Sequence, residues 1–281
     1  MSQSIVVMTD STAGLPIETI EALGLLVVPC QVFVGDEVYK EGVDLTAQEL
    51  FERIFTSQAT PTTSLPTGDD YRATFQAAVD RGATQLLGVF VGSGLSGTFN
   101  GARIAAQEFP QLETYLVDSG TVSAGLALLV KEAVRLVNEG GDLQTIGQRL
   151  DVLAEKSELY ALLDTLEYIR RGGRIGRVGE LIANVLNIKP VLRLARNSGD
   201  VVARNRSRKK GIAWLNETAA KAQNVRGLNV IHINAEADAL ELAESLRPLL
   251  PPGTDIAVGP APAAVAAHGG PGAVGFGILT E

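Results

Sequence analysis

Leu86-Leu87-Gly88-Val89-Phe90-Val91 runs without a polar residue into Gly92-Ser93-Gly94-Leu95-Ser96-Gly97-Thr98. Such a run reads as a strand buried in a sheet, and the glycine- and hydroxyl-rich stretch after it as a tight turn. Asn100–Glu108, with Ala102, Ala105 and Ala106, continues as a small-residue helix. A strand, turn and helix start in this order bring free backbone amides to one point, where anions bind. Three chemical readings follow. Gly92, Gly94 and Gly97 satisfy G-x-G-x-x-G, with Asp118 about twenty residues on, as in a dinucleotide-binding fingerprint. A nucleophile elbow is not met, because Gly94-Leu95-Ser96-Gly97 lacks the second spacer of G-x-S-x-G. In the third reading Ser93 and Ser96 donate to a small anion. An ordinary strand-to-helix turn is the plain alternative.

Outward from this turn the pattern alternates. Ile5–Thr9 is a strand that ends in Asp10-Ser11-Thr12, and Pro16 opens a helix with Ile17, Ile20 and Leu23 on one face. Residues 25–34 read as one continuous strand, with 37–39 returning after Gly35-Asp36 as a hairpin arm. Residues 46–55 and 69–81 are helical, and 56–68, with Pro61, Pro66 and Gly68, read as a long loop of the kind that carries function. A strand at 114–117, a strongly apolar helix at 122–138 and a helix at 143–155 complete an α/β half with a Rossmann-like parallel sheet. A boundary there gives an N-terminal unit of residues 1–155 and a C-terminal unit of residues 156–281.

The second half mixes strands and helices as an α+β domain. Strands are expected at 160–163, 188–194, 201–205, 228–234, 255–258 and 273–279, and helices at 177–186, 208–222, 236–247 and 261–267. Asp164 and Glu167 have the spacing of a capping box, and Asn197-Ser198-Gly199-Asp200 that of a hairpin turn.

With 46% apolar and 20% charged residues in 281, the composition is globular. The net charge of −8 argues against a general nucleic-acid or anionic-membrane surface. A single cysteine, Cys30, excludes an internal disulfide and suits a reducing compartment. It sits in an apolar stretch as a core residue does. Neither a signal peptide nor a membrane-length apolar run is visible, so a soluble, cytoplasmic protein is expected. Two histidines and one cysteine make no zinc site.

Several motifs in order resemble the DegV family of bacterial fatty-acid-binding proteins. They are Thr9-Asp10-Ser11-Thr12-Ala13, Thr63-Ser64-Leu65-Pro66-Thr67, Ser93-Gly94-Leu95-Ser96-Gly97-Thr98, Asp164-Thr165-Leu166-Glu167-Tyr168 through Gly172-Gly173-Arg174-Ile175, Ile188-Lys189-Pro190, and His268-Gly269-Gly270-Pro271-Gly272. Leu65 and Thr67 depart from the family's Thr-Ser-Gln-Pro-Ser loop. The resemblance implies two domains holding a long-chain fatty acid in a tunnel between them. The acid's carboxylate would lie at the central turn, with Thr63, Ser93, Gly94 and His268 as ligands and Ser96 and Gly97 beside them. It also implies a carrier without catalytic residues or cofactor, which presents the acid to a separate ATP-dependent fatty acid kinase and then carries the acyl phosphate.

Energetics agree with that use of the residues. A buried carboxylate costs several kcal/mol to desolvate, and each hydrogen bond to it returns about 1.5–3 kcal/mol, so about three donors are needed. A sixteen-carbon chain at about 0.8 kcal/mol per buried methylene supplies roughly 12 kcal/mol before ordering costs. Ala102 and Ala105 are candidates to leave it room. His268, at a helix end, reads either as a C-terminal cap or as a ligand contact, and His232 as a sheet residue. Arg170, Arg171, Arg174 and Arg177, with Arg204, Arg206, Arg208, Lys209 and Lys210, form two basic clusters. They read either as solvated helix ends or as a surface for an acidic partner or a phosphorylated headgroup, with Arg170, Arg174 and Arg204 as the candidates for partner docking. The competing class is an NAD(P)-dependent oxidoreductase built on Gly92, Gly94, Gly97 and Asp118.

Overall fold

A computed structural model of the chain describes residues 5–45, 47–57, 61–173, 188–254 and 256–281. Four parallel strands, β1 (Ile5–Asp10), β2 (Leu26–Val28), β6 (Gln85–Phe90) and β7 (Glu113–Asp118), lie in the order β2-β1-β6-β7. All six residues of β6 are buried, and they alternate between two cores. Leu86 and Phe90 join Met8, Tyr71 and Phe75 under helices α3 (Gly68–Asp80) and α4 (Thr98–Ala106). Leu87 and Val89 join Val7, Leu129 and Leu150 under α5 (Ala124–Asn138) and α6 (Leu143–Ala154). A strand covered on both faces needs apolar residues at every position, which explains the unbroken run.

The second half forms a six-stranded mixed sheet in the order β10-β9-β8-β13-β11-β12. Its strands are β8 (Ser157–Leu162), β9 (Lys189–Ala195), β10 (Ser198–Asn205), β11 (Val225–His232), β12 (Ile256–Pro260) and β13 (Val274–Thr280). Helices α8 (Arg208–Ala220) and α9 (Glu236–Leu246) share a core with them. Helix α5 packs on β1 and β6 of the first sheet and on β8, β11 and β13 of the second. A helix enclosed by two sheets must be apolar on most of its surface, as this one is: eleven of its fifteen residues are buried, and Glu132 is the one charged residue among them. The contact with β13 is close: a Cβ on Gly277 would lie 2.4 Å from the Gly125 nitrogen. This is the two-part α/β architecture expected. The proposed boundary at 155/156 assigns the shared helix to the N-terminal unit.

Four local expectations need correction. Residues 25–34 are not one strand: after Pro29 the chain leaves the parallel sheet and forms β3 (Gln31–Val34), which pairs with β4 (Glu37–Lys40). The loop expected at 56–68 contains β5 (Thr62–Ser64), paired antiparallel to β3 with Thr63 opposite Val32. The second hairpin turns at Arg196-Asn197, not 197–200. Both residues have positive φ, 51° and 62°, and Ala195 pairs with Ser198, as a two-residue turn requires. The capping box at Asp164 does not form ahead of α7 (Glu167–Arg171), because Asp164 accepts from Lys189 and Arg208, each at 3.0 Å. Thr165 Oγ1 instead accepts the Glu167 amide at 3.1 Å. The helix expected at 177–186 lies outside the described residues.

Candidate functional site

Strand β1 is followed by β2 on one side and joined by β6 on the other, so the carboxyl ends of β1 and β6 flank a switch point, where open α/β sheets bind ligands. Asp10 ends β1 fully buried, and its carboxylate accepts from the amides of Val91 at 2.8 Å and Thr12 at 3.0 Å. Burial pushes its pKa above the usual value despite these bonds. The exits of the two central strands are thereby tied together.

The glycine-rich turn after β6 serves a contact that sequence reasoning missed. The tip of the β9–β10 hairpin docks into it: a Cβ on Gly94 would fall 2.2 Å from the Asn197 carbonyl oxygen, and one on Gly92 2.7 Å from Asn197 Oδ1. Asn197 Oδ1 accepts the Gly94 amide at 2.9 Å, and its Nδ2 donates to Asp118 Oδ2 at 3.0 Å. Asp118 Oδ1 accepts the Ser93 amide at 2.9 Å and that of Gly120 at 3.1 Å. The amides of Ser93 and Gly94, expected to be free for an anion, are thus held by Asp118 and Asn197. Asp118 holds the turn and the hairpin, and its part as a ribose ligand in the oxidoreductase reading is not supported. Asn197, of a residue type that tolerates positive φ, directly before Ser198-Gly199 was the available signal for the hairpin tip.

Beside this turn lies a cavity of about 150 Å³. Val91, Leu95 and Val122 from the first half and Ile169, Leu192, Leu194 and Val265 from the second give it an apolar wall. Its polar lining is Thr12, Thr63, Ser64, Ser96 and His268. Thr63 arrives on β5 and His268 on α10 (Ala263–Gly269), and Thr63 Oγ1 lies 2.8 Å from His268 Nε2. Ser96 Oγ is 2.8 Å from Thr98 Oγ1. Thr63, Ser96 and His268, 205 residues apart at the extremes, therefore meet at one cavity. Ser93 and Gly94 belong to the adjoining turn but not to the lining, and Gly97 faces Leu65 at 3.6 Å from an added Cβ. Gly172 leaves room for the imidazole, since a Cβ there would lie 2.1 Å from His268 Nδ1.

One further expectation changes and two hold. Ala102 and Ala105 do not border the cavity but share a core with Tyr71 and Phe75, so their small size serves the packing of α4 on α3. Small residues do border it on α10, where Ala264 takes that place. Cys30 is buried in the lining, and burial pushes its thiol well above the ordinary value, which suits a core residue rather than a nucleophile. His232 accepts the Ala235 amide at 3.4 Å as a sheet residue.

The arginines divide. Arg170 and Arg171 are exposed and both pair with Glu167, at 2.6 and 2.7 Å. These bonds hold the Glu167 carboxyl down at about 2. Arg204 is exposed on β10. Arg208 is structural: it reaches Asp164, the Gly272 carbonyl at 2.6 Å and Asp238 at 2.8 Å. Arg174 and Arg177 lie outside the described residues. No helix among the described residues is long and apolar enough to cross a membrane.

Comparison with known proteins covers the whole site. The family model described as "Uncharacterised protein, DegV family" matches residues 4–281. A DegV domain-containing protein of Deinococcus radiodurans is 34% identical over 280 residues, 98% of each chain. Among solved structures, a DegV family protein of Thermus thermophilus, described for its fatty acid binding, superposes with a TM-score of 0.89 at 30% identity over 99% of each chain. DegV of Bacillus subtilis, described as a fatty acid binding protein, gives a TM-score of 0.89 at 27% identity over the full length of both.

Proposed function

The chain belongs to the DegV family, and from that premise we propose that it binds a long-chain fatty acid in the cavity between its two halves. The observation that carries the reading is the Thr63–His268 pair, 2.8 Å apart, in the lining of an otherwise largely apolar cavity at the sheet's switch point. In the tautomer that carries its proton on Nε2, His268 donates to Thr63 Oγ1 and leaves the threonine hydroxyl proton for a carboxylate oxygen. Ser64 and Ser96, also in the lining, complete the head end. Three hydroxyls of the lining, those of Thr63, Ser64 and Ser96, returning about 1.5–3 kcal/mol each, offset the desolvation of one carboxylate. The head end of the acyl chain lies along Val91, Val122, Leu192, Leu194 and Val265; about 150 Å³ is the size of a benzene site, so the rest of a long chain enters only as these apolar walls part.

In the finer form of the proposal the protein is a carrier. It presents the acid to a separate ATP-dependent fatty acid kinase, which forms the acyl phosphate, and the exposed Arg170 and Arg204 receive that partner. Support comes from their exposure on an otherwise acidic chain and from the family resemblance. Denaturing extraction of the purified protein followed by mass spectrometry tests the binding. A stoichiometric fatty acid is expected. Protein that carries none and cannot be loaded with hexadecanoate would contradict the reading.

A further inference from the structure

Helix α10 brings His268 to the cavity, yet its own sequence does little to hold it. It has seven residues, and Pro262 at its start offers no capping side chain. The cap comes from far away. Glu41 Oε1 accepts the Ala264 amide at 3.1 Å, and the Ala263 amide also reaches the carboxylate. Glu41 Oε2 accepts the Ser11 hydroxyl proton at 2.8 Å, and Ser11 Oγ in turn accepts the Cys30 amide at 2.9 Å. The Glu41 amide donates to the Cys30 carbonyl at 3.0 Å, so side chain and backbone grip the same corner. Glu41 is 5% exposed, a costly place for a carboxyl unless its position matters.

The rest of the corner fits a fixed helix. Gly14, at a φ of 65°, leaves space for Pro262, whose Cγ would lie 2.7 Å from an added Cβ. Ala263, Ala264, Ala266 and Ala267 are buried, so the helix sits close to its supports. Ala264 and His268 are four residues apart and share a face, both in the cavity lining. A shift at the Glu41 cap is carried one turn along to the imidazole.

We propose that Glu41 is a positioning residue of the fatty acid site: it caps α10 from the corner made by Ser11 and Cys30, and so aims His268 at Thr63. The inference rests on the fatty acid reading above. It predicts a pH dependence, because burial raises Glu41 to about 7. Asp10 and Cys30, the ionisable groups that face it from β1 and the β2–β3 link, are pushed up by burial as well, and the charge of Asp10 adds to the rise at Glu41. Asp44, Glu49 and Lys131 line the same larger hollow of about 870 Å³ that Glu41 borders. The ionised carboxylate is the stronger acceptor for the two amides, so the cap tightens as pH rises through neutrality.

The test uses the full-length protein and its E41Q, E41A and E41D variants, with an H232N background to isolate the His268 signal. The His268 imidazole resonance is followed by NMR in lipid-free protein across about pH 5.5 to 8.5, and hexadecanoate affinity is measured by displacement of a fluorescent fatty acid. A second inflection near pH 7 is expected in the otherwise unsubstituted protein. E41Q should lose it, E41D should keep it, and E41A should displace the resonance throughout while weakening hexadecanoate about tenfold or more. Superimposable His268 curves for E41Q and the parent would overturn the proposal, whether or not E41A folds. Absence of hexadecanoate binding in the parent would overturn the fatty acid reading, and the His268 curves would still decide the part of Glu41.

Discussion

At the scale of single residues, the glycines of the central turn carry two different burdens. The sequence pattern suggested close approach of a ligand, but Gly92 and Gly94 make room for Asn197 of the β9–β10 hairpin. Nothing in the turn itself distinguishes these cases, because both need a missing Cβ. Gly94→Ala would press a methyl onto the Asn197 carbonyl, a backbone atom that cannot swing aside. We expect a loss of about 1–3 kcal/mol in urea unfolding, and an unchanged midpoint would mean that the hairpin does not dock there. Thr63 and His268 were legible as neighbours only through the family motifs, not through spacing, since 205 positions separate them. Thr63→Ala removes the hydroxyl donor and should cost about 1.5–3 kcal/mol of hexadecanoate binding by titration calorimetry, with little change in thermal stability.

At the scale of elements, periodicity was enough wherever one face or both faces of an element are buried. It found β6, α3, α5 and α6 to within a few residues, because each satisfies its own apolar pattern. It missed β5, whose Thr62-Thr63-Ser64 has no apolar alternation and is a strand only because β3 supplies its partner. It also ran β2 and β3 together, since an apolar stretch does not reveal which sheet each part joins. Helix α5 is fastened to the second sheet by a charge network that periodicity cannot show. Glu132, largely buried, receives Arg135 at 2.8 Å and Arg226 of β11 at 2.9 Å, and these guanidiniums hold its carboxyl below the ordinary range. A lowered folded pKa gives stability that is present above the unfolded value and lost as pH falls through the folded value. Glu132→Gln should therefore flatten the acid limb of stability against pH and lower stability at neutral pH by up to about 3 kcal/mol. A parent-like acid limb would show that the network is solvated.

At the scale of the whole molecule, two sheets share α5 and leave the ends of β1 and β6 facing the second half, so a ligand there touches both parts of the chain. The acidic whole and the exposed Arg170 and Arg204 suit docking of one acidic partner rather than general adhesion. Replacing both by Ala should leave hexadecanoate affinity intact while slowing acyl phosphate formation with a fatty acid kinase, the defect shrinking as salt is raised. Equal losses of binding and turnover would move these arginines into the head site or the fold. The central claim is that a fatty acid carboxylate binds beside the Thr63–His268 pair. Hexadecanoate labelled with ¹³C at the carboxyl reports on it directly by NMR. The account predicts one saturable bound resonance that moves in both Thr63→Ala and His268→Ala; a bound resonance indifferent to both substitutions would contradict it.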